Sequence, residues 1–294
     1  MLGARLAHKF DCGCTLSTEA ETRRQKATSR LAPETIAARD FSQSLARGLA
    51  ILELFRDDVT YLTPSVVATE VSVSRASARR LLLTLQDLGY LQGDGRRFWL
   101  TPRILRLGQN LFAVNGLWQL VNHRVVELAN FFNEPCAAAV LDGIEITYVA
   151  RDSARHIFTS RLAIGDRMPA HCSSLGKILL AALPPIEIDA LLSANPLAKR
   201  TEKTFTDPLL LKAELDQVRH NHWAKVDGEM DDGTISIAVP LRGASGGLVA
   251  ALNVASHRSR CDVATMIKTM LPTLQVAAQE IEVVIRSYEL RGPR

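Results

Sequence analysis

The sequence predicts an α+β protein built from two units, and two observations carry that expectation. Residues 41–101 run through three apolar-striped helical segments and then two short β-rich runs around a tight turn. From residue 117 to 294, hairpin signals alternate with helical stretches. That order is typical of an antiparallel α+β sheet, not of a doubly wound parallel one. A length of 294 residues suits two domains, at roughly 100–200 residues each.

The elements follow in order from local pattern. Leu45, Leu49, Leu52 and Phe55, with Ile51 beside them, recur at helical spacing, and Ser44 is the expected N-cap. Thr63-Pro64 opens a second helix, with proline at the first position, threonine as cap, and Val66, Val67 and Val71 facing inward. After a turn at Ser72, Ser74 caps a third helix that runs to Leu88. Its buried stripe is Ala78, Leu81, Leu82, Leu85 and Leu88, and Gly89 supplies the left-handed residue that ends it. Two short strands, 90–92 and 97–100, flank the turn Gly93-Asp94-Gly95. Three helices and a hairpin make the order of a winged helix-turn-helix, expected over 41–101. Thr101-Pro102 then starts a linker helix over 102–116, whose Ile104, Leu107, Leu111 and Phe112 form a face suited to pairing.

The second unit, 117–294, reads as a helix over 120–132 and a hairpin of 136–141 with 145–150 around Asp142-Gly143. A helix from Ser173 to Leu183 follows, stopped by Pro184-Pro185, and another spans 208–221. Strands at 235–241 and 248–254 are joined through a glycine-rich turn. The end of the chain, 263–288, is a long helical region with Pro272 near its middle. Residues 1–40 are polar, mixed in charge and without an apolar period, so a disordered leader is expected there.

Composition narrows the function classes. No apolar run approaches the ~18 residues of a membrane span, and the N-terminus has no apolar core of a secretory signal. Five irregularly spaced cysteines argue against a disulfide framework and for a reducing, cytoplasmic setting. Cys12-Gly13-Cys14 with His8 lacks the spacing and the fourth ligand of a zinc site, so no metal and no cofactor is expected. His171-Cys172-Ser173-Ser174 sets a base beside nucleophiles, but neighbours in a chain rarely face one another, and no Gly-x-Ser-x-Gly elbow exists. Catalysis is not expected. Cys172 reads as a small buried residue.

The formal charge of +4 is unevenly spread: +2 in residues 1–40, +3 in 41–115 and −1 in 116–294. Arg75, Ser77, Arg79 and Arg80 crowd the outer face of the third helix, with no acid between Glu70 and Asp87. Arginine suits guanine edges and phosphates through its bidentate fork. Arg96-Arg97 at the wing tip are placed for the backbone or minor groove beside that helix. Double-stranded operator DNA is therefore the expected partner. The alternative is an ordinary solvated face, and Arg80, next to Leu81 and Leu82, also has a structural reading.

The second unit points to a small anion. Pro169-Ala170-His171-Cys172 leads into the helix beginning near Ser173, whose free N–H groups favour a carboxylate. Ser173 and Ser174 add hydroxyls, and Ser173 alone is equally read as a plain cap. Tyr148 and Met168 are either pocket wall or core. Asp227 and Glu229 are either solvated or bonded to a ligand hydroxyl.

Several stretches carry a family resemblance. They are Ser44-Leu45-Ala46-Arg47-Gly48-Leu49-Ala50-Ile51-Leu52, Ala78 to Leu85 through Leu88-Gly89-Tyr90, Leu141-Asp142-Gly143 and Tyr148-Val149-Ala150-Arg151. Ile164 to His171, Leu175 to Ala181, Ile237-Ala238-Val239-Pro240 and Ala251-Leu252-Asn253-Val254 complete them. Together the sequence resembles the IclR family of bacterial transcriptional regulators over about residues 41–290, most closely its branch controlling aromatic-acid catabolism through the β-ketoadipate pathway. The resemblance implies a winged helix-turn-helix, a GAF-like effector-binding domain, and homodimers or dimers of dimers on palindromic operators, with RNA polymerase as a further expected partner. It sets the effector pocket against the helix start and the two central strands, so that Ser174, Leu175, Ser236 and Asn253 fall at matching positions. Ser236 stands where many members carry cysteine. The implied effector is an aromatic acid or its dicarboxylate ring-cleavage product. An enzyme with an attached DNA-binding unit, or a sensor that binds no DNA, are the alternative readings.

Overall fold

The computed structural model describes residues 40–55, 59–107, 116–152 and 162–291. The expected leader, with His8, Cys12 and Cys14, lies outside them, as does the linker helix beyond Leu107, with Leu111 and Phe112. The chain divides into two compact units, Met1–Gln109 and Asn110–Arg294.

The first unit holds α1 (Gln43–Glu53), α2 (Pro64–Glu70), α3 (Arg75–Asp87), β1 (Leu91–Gly93) and β2 (Phe98–Leu100). The cap of α1 is Ser42, which accepts from the Leu45 N–H, and not Ser44. The expected stripe is also displaced: Ile51 is the fully buried residue of α1, while Leu45 and Leu49 are exposed. Thr63 and Ser74 cap α2 and α3 as expected, through bonds from the Val66 and Ser77 amides. Val66 and Leu88 turn out to solvent, and the core is Ile51, Leu62, Val67, Val71, Ala78, Leu82, Leu85, Leu91 and Phe98. Leu62 exchanges backbone bonds with Phe98, of 2.7 and 2.9 Å, which ties the wing to the segment before α2. A Cβ on Gly93 would stand 2.4 Å from the Arg97 carbonyl, so the close strand pairing of the wing needs glycine there. Beyond the wing, Pro102–Ile104 form a 3-10 turn.

The second unit holds α4 (Gly116–Phe132), β3 (Cys136–Asp142), β4 (Glu145–Asp152), β5 (Arg167–Pro169), α5 (Ser174–Ala181), α6 (Pro185–Ala194), α7 (Pro208–Asn221), β6 (Ala224–Asp227), β7 (Thr234–Arg242), β8 (Leu248–His257), α8 (Val263–Thr269) and α9 (Leu271–Arg291). Six antiparallel strands form one sheet in the order β5-β4-β3-β8-β7-β6. Strand alternation gives it two apolar faces. One packs Val149, Ile235, Ile237, Leu252 and Val254 against α4, α8 and α9. The other packs Ala137, Ala139, Tyr148, Ala238 and Ala251 against α5 and α7.

Three sequence expectations differ here. Pro185 opens α6 as its first residue rather than only stopping α5, the position where a missing N–H costs nothing. The terminal helix breaks at Met270, and Pro272 is the second residue of α9. β5 and β6 were not expected, being three and four residues long.

Candidate functional site

On the first unit, the expected arginines all reach solvent. Arg75, Arg79 and Arg80 are exposed on α3, and Arg96 and Arg97 on the wing tip. Asp94 folds that tip by accepting from both the Arg96 and Arg97 amides, at 2.8 and 2.7 Å. These bonds hold its carboxyl below the usual carboxylate range. The Arg79 guanidinium donates to the Gly95 carbonyl at 2.8 Å, linking α3 to the wing. Arg97 stacks its guanidinium 4.8 Å from the ring centre of Tyr61. Ser77 faces Ser74, their hydroxyls 3.0 Å apart. The helix and the wing are thus bonded through Arg79, and both expose arginines, a residue suited to phosphates and base edges.

On the second unit, the start of α5 is held against the sheet. The Ile144 carbonyl accepts from the Ala170 amide, and a 3-10 turn, Ala170–Cys172, delivers Ser173 as N-cap. Ser173 accepts from the Gly176 N–H at 2.9 Å, so its cap reading holds. A Cβ on Gly176 would lie 2.1 Å from the Ala170 carbonyl oxygen, and glycine alone permits this approach. Ser174, the first residue of α5, accepts from the Ser236 hydroxyl at 2.8 Å, and both are buried. Leu175 is fully buried behind them.

Register places Asn253 on the same face. It pairs with Ala238 on β7 and with Ala137 on β3, both packed toward α5. Asn253 is 9% exposed, and its Oδ1 has no hydrogen-bond partner among the described residues. Tyr148 and Met168 close one side, the Tyr148 hydroxyl 3.7 Å from the Met168 sulfur. Burial pushes the Tyr148 hydroxyl up.

Other expected residues are engaged differently. His171 is buried, with Nε2 3.0 Å from the Ala198 carbonyl. Burial raises the Cys172 thiol to about 11, so it stays a thiol, 3.5 Å from the Met230 sulfur. Glu229 binds Lys177 of α5 at 2.6 Å. Burial raises its carboxyl and the Lys177 ammonium opposes that rise. Asp227 pairs with Ile235, whose side chain packs on the α4 and α9 face, and it bonds Arg258. The structure thus brings Tyr148, Met168, Ser174, Leu175, Ser236 and Asn253 together and leaves Asp227 on the opposite face.

The description of an IclR helix-turn-helix domain matches residues 44–95, and that of a bacterial transcriptional regulator IclR C-terminal domain matches 112–283. The chain belongs to the IclR family. Among IclR relatives, it is 36% identical to the Pca regulon regulatory protein of Pseudomonas putida, over 82% of this chain and 84% of the relative. It is 34% identical to the p-hydroxybenzoate hydroxylase transcriptional activator of Acinetobacter baylyi, over 84% and 93%. An IclR homolog from Microbacterium hydrocarbonoxydans, solved with 4-hydroxybenzoate, superposes with a TM-score of 0.70 at 26% identity, covering 83% of this chain and 99% of that one. The IclR chain is therefore a transcriptional regulator with a DNA-binding helix-turn-helix.

Two residues escaped sequence reasoning. Lys177 is fully buried among Glu229, Glu214 and the Phe205 ring. Arg151 lies beside the site, its guanidinium 5.1 Å from the Tyr148 ring centre. Sequence alternation misplaces Arg151, because its odd-numbered offset from Tyr148 assigns it to the opposite face. A register shift at Ala138/Ala139 bends that alternation.

Proposed function

We propose that this regulator binds a small aromatic carboxylic acid between the start of α5 and the face of β3, β4, β7 and β8, and that binding alters transcription from its operator. The single observation that carries this reading is the buried polar cluster of Ser174, Ser236 and Asn253 on an otherwise alanine-rich sheet face. A buried acceptor with no donor costs stability and is expected at a ligand site. The ligand reported for the Microbacterium homolog, 4-hydroxybenzoate, supports the chemical class. Arg75, Ser77 and Arg79 read bases in this proposal, Arg80 stands beside them on α3, and Arg96 and Arg97 bind phosphates or the minor groove. The protein works in the cytoplasm as a homodimer or dimer of dimers.

Calorimetric titration of the full-length protein with 4-hydroxybenzoate tests the ligand. Binding should be lost in Ser174→Val, while effector-free binding to duplexes selected from a random library persists. Unchanged affinity in Ser174→Val and in Ser236→Val, each alone, would set the ligand elsewhere.

A further inference from the structure

We propose that Tyr61 is a positioning residue for DNA binding: its ring holds the Arg97 guanidinium at the wing surface, so that Arg97 takes a backbone phosphate and does not enter the minor groove. The inference rests on the wing contact proposed above and assigns which part of the duplex Arg97 meets and what places it there.

The bridge before α2 sets the pair. Leu62 and Phe98 exchange both backbone bonds, at 2.7 and 2.9 Å, and both side chains are buried in the core of the first unit. Alternation turns the residue before each of them outward. In an antiparallel pair those two residues, Tyr61 and Arg97, are diagonal neighbours on one face, within reach of an aromatic ring and a long side chain. The Arg97 guanidinium carbon accordingly lies 4.8 Å from the Tyr61 ring centre. Both residues are exposed, so the contact is no part of the core.

The backbone of Arg97 is held as well. Its amide donates to the Asp94 carboxylate at 2.7 Å, and its carbonyl accepts from the Asp94 amide at 3.2 Å. Arg79 of α3 donates to the Gly95 carbonyl at 2.8 Å and steadies the same turn. A free arginine gives up rotamer freedom when it binds, and one already stacked gives up less.

The stack also selects the partner. A ring takes only the π face of a guanidinium and leaves its in-plane N–H donors for another group. Those donors match two oxygens of one phosphate. An arginine reaching the floor of a minor groove must extend away from its own domain and abandon the ring. Phosphate contacts carry no sequence information, and each one releases counterions.

The test uses the full-length protein and fluorescence anisotropy over a series of salt concentrations. Its two probes are a duplex selected from a random library by the wild-type protein and a scrambled version of that duplex. Arg97→Gln should weaken both by the same factor and lower the salt slope by about one unit per bound protomer. Tyr61→Leu, or Tyr61→Val should the first variant fail to fold, should weaken both by roughly two- to fivefold per bound protomer, the worth of an exposed stack. Tyr61→Phe keeps the ring and should restore wild-type affinity. In an Arg97→Gln background, Tyr61→Leu should add nothing. A ring with a purely structural role would weaken binding equally in both backgrounds, and that result overturns the inference. So does a loss in Tyr61→Phe as large as in Tyr61→Leu, or an Arg97→Gln loss confined to the selected duplex. Unchanged affinity and salt slope in Arg97→Gln defeats the proposed wing contact of Arg97 itself and the inference with it.

Discussion

Lys177 shows what a single residue can hide. In the sequence it is a lysine in an apolar helix, indistinguishable from one that reaches out to water. In the fold it is fully buried, and Glu229 and Glu214 neutralise it at 2.6 and 3.4 Å. Removing one partner of a buried pair leaves the other charge uncompensated, at about 3–5 kcal/mol. Lys177→Met should therefore cost about that much in urea unfolding. Adding Glu229→Gln should recover part of the loss, since the stranded carboxylate is gone. Asp94 makes the opposite case, because an acid three residues before Arg97 in a glycine-flanked turn is legible from sequence. Its carboxyl is held below the usual range by the Arg97 and Arg96 amides. A carboxylate lowered in the fold supports it fully above the ordinary range near pH 4 and loses that support as pH falls through the lowered value. The protection of the Arg96 and Arg97 amides, as the ratio of intrinsic to observed exchange rate at each pH, should persist at pH 5 and fall below the lowered value. In Asp94→Ala that protection should be small at both.

At the scale of elements, caps and periodicity were readable and register was not. Thr63-Pro64 and Ser74 announced their helices because capping is local chemistry. Replacing Ser74 by alanine should destabilise the first unit by about 1 kcal/mol, read by thermal unfolding. The buried stripe of α1 departs from the expected one because an amphipathic pattern gives a face without saying which flank meets the core, and packing selects Ile51 over Leu45. β5 and β6 are too short for alternation to show. The candidate site was half legible: Ser174, Ser236 and Asn253 stood out through family resemblance, whereas Arg151 depended on the shift in β3 and β4 pairing. Gly176 ties element to site, since its missing side chain lets the start of α5 lie against the Ala170 backbone. Gly176→Ala should push α5 outward at about 1–3 kcal/mol. It should also weaken hydroxybenzoate binding, measured on protein shown to be folded by circular dichroism.

At the scale of the whole molecule, the account joins a DNA-reading unit to a ligand-reading one. A ligand shifts an equilibrium only by its differential affinity for two states, so the site must communicate beyond its own sheet face. Leu105 and Leu107 are exposed after the wing, and exposed leucines there support the proposed pairing. Sedimentation at micromolar concentration should give at least a dimer, and Leu105→Glu with Leu107→Glu should shift it toward monomer and weaken operator binding. A competing location for a small ligand exists in the groove between α4 and α9, lined by Arg124, Phe131, Val276 and Glu280. Hydrogen exchange of the full-length protein with and without saturating 4-hydroxybenzoate separates the two most directly. The account predicts slowed exchange at the start of α5 and along β7 and β8 around Ser236 and Asn253. Slowed exchange confined to α4 and α9, with the Ser174 region unchanged, would contradict it.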